Sequence, residues 1–140
     1  MLSIVALSSS ILLGSMLFFA TIVTPSVFQC LDTDESRGFL RHLFPRFYLW
    51  GIALSGSSAL LALFAGSATT IMLVIVLLGF IYSRQILTPK INAAKDAWLA
   101  SDTAELKSRF RQLHKRSVII NVTQMVLLLI VSTSIIWALY

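Results

Sequence analysis

The sequence predicts an all-α integral membrane four-helix bundle, with both termini external and a cytoplasmic helical hairpin between the third and fourth crossings. Three observations carry that prediction. The 140-residue chain is 57% hydrophobic and 12% charged, whereas a soluble domain carries charge on about 25% of its residues. All 11 Lys and Arg and all 6 Asp and Glu fall inside two windows, Asp32 to Arg46 and Arg84 to Arg116. Four apolar stretches remain, and each meets or approaches the about 20 helical residues needed to cross a hydrocarbon core of ~30 Å.

Taken in order, the stretches are Leu2 to about Cys30, Phe47 to about Phe64, about Thr69 to Leu87, and Val118 to Tyr140. Together with the charged segments 31–46 and 88–117 they form one membrane domain over 1–140. Only Ala65, Gly66, Ser67 and Ala68 separate the second stretch from the third, which predicts a tight hairpin. The first stretch begins at Met1 with no basic residues before it and continues too far for a short signal-peptide core, so it reads as a retained crossing. Four crossings put both termini and the 65–68 turn on one side and both charged windows on the other. Short loops rich in Lys and Arg stay in the cytoplasm, which makes the charged face cytoplasmic and places the chain in the cell inner membrane. Tyr48 and Trp50 near one interface, and Trp137 and Tyr140 near the other, fit aromatic belts.

Membrane helices associate where small residues let backbones approach. Ala6, Ser10 and Gly14 recur every fourth residue on the first helix, as do Gly51, Ser55 and Ala59 on the second, with Ser58, Ala62 and Gly66 beside them. These faces predict packing within the bundle, with a homo-oligomer seam as the alternative. Thr24 and Pro25 predict a kink or helix end, because proline lacks a backbone donor and clashes with the preceding turn. Thr88 and Pro89 read as an N-cap and first residue of a short helix to about Ala100. Asp102, with Glu105 three residues on, reads as the start of an amphipathic helix that runs into the fourth crossing.

The first window balances Asp32, Asp34 and Glu35 against Arg37, Arg41 and Arg46. The second holds eight basic residues against Asp96, Asp102 and Glu105, and so accounts for the whole net charge of +5. Lys107, Arg111 and Lys115 lie at i, i+4 spacing, where anionic head groups are the expected partner. Nucleic acid is not expected, since the basic residues hug the bilayer and no reading motif accompanies them.

No catalytic, metal or nucleotide motif stands out, which favours a non-enzymatic protein. Cys30 is the single cysteine and excludes an intrachain disulfide. His42 and His114 are the only histidines. They are the weak candidates for a metal or for haem, and a haem-associated redox protein using His114 is the alternative reading. Asn121 and Gln124 share a face of the fourth crossing and need polar partners inside the bundle. Without a charged or histidine side chain near the bilayer centre, a coupled transporter built on an embedded carboxylate is disfavoured. A small transporter or channel would require an oligomer.

Four segments, GSMLFFATIVTPSVFQCL, RHLFPRFYLWG, SRQILTPKINAAKDAW and RFRQLHKRSVIINVTQMV, resemble the transmembrane protein 205-like family, also known as domain of unknown function 4149. The resemblance spans about Gly14 to Val126. Its more specific parts are Leu43-Phe44-Pro45 followed by Phe47-Tyr48, Arg84 with Pro89, and Phe110 with His114, Ser117 and Asn121. It implies a small four-helix membrane protein and no established activity. The polar residues of these motifs converge on one interface. They predict a cluster of Arg46, Arg84, His114 and Asn121 meeting carboxylates of the first window, with Pro25, Pro45 and Pro89 shaping the backbone around it.

Overall fold

A computed structural model of the chain describes residues 1–64 and 66–140. Of the turn expected over Ala65 to Ala68, Ala65 lies outside the described residues. The described residues form four long helices and no strand: α1 Leu2–Cys30, α2 Thr33–Ala62, α3 Ser67–Ala100 and α4 Ala104–Leu139. Helices α1, α3 and α4 are long and apolar enough to cross a membrane. Large apolar side chains such as Leu7, Ile75 and Ile119 are exposed on the outer surface. An apolar exterior of that kind suits contact with lipid.

Helix α2 differs from the other three. Its uncharged part begins at Phe47 and the helix ends at Ala62, short of the about 20 residues of a full crossing. It is also rich in small residues, and these are turned inward: Gly51, Ser55, Ser58, Ala59 and Ala62 are buried.

Neither charged window is a loop. The Asp32 carboxylate accepts the Glu35 amide at 2.8 Å, and Asp34 and Glu35 occupy the first turn, where the helix dipole favours acids. The first window therefore begins α2. At the start of α4 the cap is Thr103, whose hydroxyl accepts the Leu106 amide at 3.3 Å. Asp102, expected in that role, instead accepts the Trp98 indole N–H at 2.9 Å.

The proline expectations need correction. Pro25 does not end α1, and Thr88 caps nothing, because helix continues through both sites. Each Thr-Pro pair is preceded by one π-helical segment, Phe19–Val23 in α1 and Ser83–Leu87 in α3. A proline leaves the carbonyl four residues back without its donor and crowds it. The wider i→i+5 turn opens the backbone ahead of the ring, and the helix goes on. Pro45 sits inside α2 without such a turn.

Helix α1 packs on α2 and α4, and α3 packs on the same two, so the helices form a ring. Leu12, Leu73, Val76, Phe80, Leu128 and Val131 fill its interior. Two glycines make room at the closest approaches. A Cβ on Gly51 would lie 2.5 Å from the Phe80 ring, and one on Gly79 would lie 2.8 Å from Gln124 Nε2. Gln124 uses that space to donate to the Val76 carbonyl at 2.9 Å. The small-residue stripe of α2 is an internal face as expected, apart from Gly66, which is exposed with φ 134° in the turn. The stripe of α1 is internal only at Ala6: Ser10 and Gly14 are exposed, and the inner face continues through Ser9, Leu12 and Met16.

The two helix pairs follow one plan. Thr24-Pro25 after a π segment in α1 is matched by Thr88-Pro89 in α3. In α2, Arg41, Leu43 and Arg46 are spaced like Arg111, Leu113 and Arg116 in α4.

Candidate functional site

Two contacts join the charged windows. Arg41 of α2 grips Asp96 of α3 with both terminal nitrogens, Nη1 reaching Oδ2 at 3.2 Å, and Nη2 also donates to the Asn92 carbonyl at 3.3 Å. The hydrogen bond from Arg41 holds the Asp96 carboxyl below its ordinary range against an opposing effect of desolvation, with the Arg41 and Arg37 charges acting in the same direction as the bond. The second contact runs from Arg84 Nε in the π segment of α3 to the Pro45 carbonyl of α2 at 3.3 Å.

Next to the Arg84 contact lies an aromatic group. Phe44, Phe47 and Tyr48 project from one face of α2, since residues three and four apart are neighbours on a helix. Phe19, in the π segment of α1, stacks on Phe47 with ring centroids 4.3 Å apart and lies 5.2 Å from Phe44. Phe80 of α3 closes against Tyr48 at 6.2 Å. Between the rings of Phe19, Phe44, Phe47 and Tyr48 and the side chains of Met16, Met125 and Asn121 is a cavity of about 40 Å³. Tyr48 is only 3% exposed, and its hydroxyl lies close to Ser117, Asn121 and Thr88. Asn121 Oδ1 is buried and has no partner, as are Ser83 Oγ and Gln124 Oε1 on the neighbouring turns.

The structure thus brings Arg84 to Pro45 and Asn121 to Tyr48. Arg46 and His114 lie on the outside. Among the described residues, none of these four forms an ion pair with a first-window carboxylate, and Arg41 with Asp96 makes the link between windows instead. His114 stacks on Phe110 at 6.0 Å, beside Trp98, whose ring lies 5.7 Å from Phe110 and 4.1 Å from the Lys95 ammonium. This cation and aromatic contact fastens the end of α3 to the start of α4. His42 is exposed, with Nδ1 3.2 Å from the Gly38 carbonyl. No group of three His, Cys, Asp or Glu side chains comes together among the described residues. Cys30 is exposed at the end of α1.

The expected interfacial role of Tyr48 is corrected by its burial; Trp50, 48% exposed, and Trp137, 83% exposed, do face outward. Tyr48, Thr88 and Ser117 were not among the expected cluster. A signal for two of them was present in the spacing. Ser117 and Asn121 are four apart on α4, and Tyr48 is four from Phe44. Chemically the group offers neutral hydroxyls and one amide beside a single guanidinium, which suits holding a polar group in an apolar setting.

A family model described as domain of unknown function (DUF4149) matches residues 7–98. The matched region takes in the Phe44 to Tyr48 segment, Arg84 and Pro89, and stops before α4. No curated protein and no solved structure matches the chain.

Proposed function

Because the chain belongs to the family defined by domain of unknown function 4149, we propose that it is a non-enzymatic, multi-pass protein of the inner membrane whose work is done at the charged end of its bundle. All four helices cross in this reading. Both termini are external, and the two charged windows, with the hairpin between α3 and α4, are cytoplasmic. The link to transmembrane protein 205 rests on the motif resemblance.

The observation that carries the reading is the meeting of the two windows. Every charged side chain lies in them, and Arg41 to Asp96 and Arg84 to the Pro45 carbonyl tie one to the other. Charges so joined belong on one side of a bilayer, and the excess of Lys and Arg selects the cytoplasmic side. Arg84 and Asn121, joined by Tyr48, Thr88 and Ser117, make up the functional polar group in this reading, Arg46 and His114 lie outside it, and Pro25, Pro45 and Pro89 set the backbone around it. Support for a binding role over catalysis comes from the neutral character of the buried groups, which lack an adjacent general base.

Reporter fusions after Tyr140 test the orientation. An alkaline phosphatase fused there should be active and a green fluorescent protein dark; the reverse pattern would overturn the assignment of the termini.

A further inference from the structure

We propose that Arg111 and Lys115 on α4 form a head-group site for an anionic diacyl phospholipid of the surrounding bilayer. The proposal rests on the membrane reading above, though not on which side the charged end faces. Arg111 and Lys115 are four apart, hence on one face, and both are exposed. The same face continues as exposed Val118, Val122 and Leu129, at steps of three, four and seven residues that keep the helical register. The cations therefore stand directly above a surface suited to acyl chains, and do not point away from the bilayer.

Depth agrees. With a rise of 1.5 Å per residue, Lys115 lies about 4.5 Å and Arg111 about 10 Å along the axis from Val118. The polar layer on each side of the hydrocarbon is roughly 5–7 Å thick, by the difference between whole-bilayer and core dimensions. Lys115 lies within it, and the flexible Arg111 side chain can reach down to it. Lys107, one turn further out, is placed over the Trp98 ring at 5.6 Å and is not assigned to the site.

Charge complementarity selects the ligand. The ion pairs among the described residues are Arg37 with Asp34 and Arg41 with Asp96, so neither Arg111 nor Lys115 has a carboxylate within ion-pair distance. Two uncompensated cations spaced about 6 Å along the helix, on long flexible side chains, can converge on the two non-bridging oxygens of one phosphate diester, and they favour a net anionic head group over a zwitterionic one.

Native mass spectrometry of the full-length protein, released from micelles holding equal amounts of phosphatidylglycerol and phosphatidylcholine, tests the site. The wild type should retain phosphatidylglycerol preferentially. R111Q/K115Q should lower that preference by at least about fivefold, the effect of one surface cation. R109Q/R116Q removes the same charge from the other flank of α4, at exposed positions, and should keep the preference. Circular dichroism of both variants confirms that the helices are intact. Equal loss in the two variants would overturn the site in favour of diffuse attraction, and so would a wild type without preference. A third contrary outcome is an oligonucleotide gel shift abolished by R111Q/K115Q while lipid retention is unchanged. Because none of these readouts depends on orientation, a failed fusion assay leaves them interpretable.

Discussion

Arg41 of α2 and Asp96 of α3, 55 positions apart in sequence, form a bidentate ion pair that joins the two charged windows of the chain. Its acid response follows from the lowered pKa of Asp96. A carboxylate whose folded pKa is depressed stabilises the fold above its unfolded value, here 3.8, and that contribution is lost as pH falls through the lowered folded value. The wild type should therefore show an acid limb of unfolding that begins below about pH 4, which D96N should flatten. Detergent-solubilised protein followed by circular dichroism across pH 2 to 6 measures it. Identical acid limbs would remove the pair from the stability of the fold.

Gly79 and Gln124 should behave as a coupled pair. An added methyl at Gly79 meets Gln124 Nε2 and must displace it from the Val76 carbonyl. G79A is expected to cost about 1–3 kcal/mol. Combined with Q124A, which vacates the space, the same glycine change should cost much less, giving a coupling of about 1 kcal/mol or more. Thermal unfolding of the four variants in one detergent checks this; additive effects would contradict the contact.

At the aromatic group, the ring and the hydroxyl of Tyr48 should separate. Y48F keeps the packing against Phe44, Phe47 and Phe80 and removes only the buried hydroxyl close to Ser117, Asn121 and Thr88. Its expected cost is about 1 kcal/mol. Y48A also empties a buried ring site, and about 3–5 kcal/mol is expected. Equal costs for both variants would mean that the ring contributes nothing, against its burial.

Much of the architecture was legible because membrane solvation is severe. Backbone groups in hydrocarbon must bond internally, so long uncharged stretches are helical, and charge confined to two windows marks where the chain leaves lipid. Hydropathy, however, separates lipid from water and does not separate helix from loop. That is why 31–46 reads as a segment between helices when most of its residues begin α2, whereas capping signals mark helix within 88–117, read as a separate helix to about Ala100 where the structure continues α3. Thr24-Pro25 reads as a kink or helix end and Thr88-Pro89 as the start of a separate helix, since nothing local in the sequence announces that a π segment will carry the chain past each ring. Spacing alone did not decide which stripe of α1 faces inward, because small residues favour close packing only where a neighbouring helix is present. Ser10 and Gly14 have none against them.

The site was legible in part for a similar reason. Arg84 and Asn121 stood out as polar groups in or beside apolar helices, and they do make or need buried contacts. Tyr48 did not stand out, because a tyrosine at the end of a crossing satisfies an interfacial belt and a buried core equally well from sequence. Arg46 and His114, read as partners of the first window, point outward instead. The Arg41 to Asp96 pair joins residues 55 apart, and such pairings depend on how the helices associate.

In the proposed topology α2 crosses the membrane although its uncharged part is short, so that both charged windows share the cytoplasmic face. Cys30, the single cysteine and exposed at the end of α1, and Ser67, exposed at the start of α3, flank α2 on either side. In intact cells a membrane-impermeant maleimide should label S67C in a C30S background and leave wild-type Cys30 unlabelled until the membrane is opened. Labelling of both positions from the same side would contradict a crossing α2 and the single charged face built upon it.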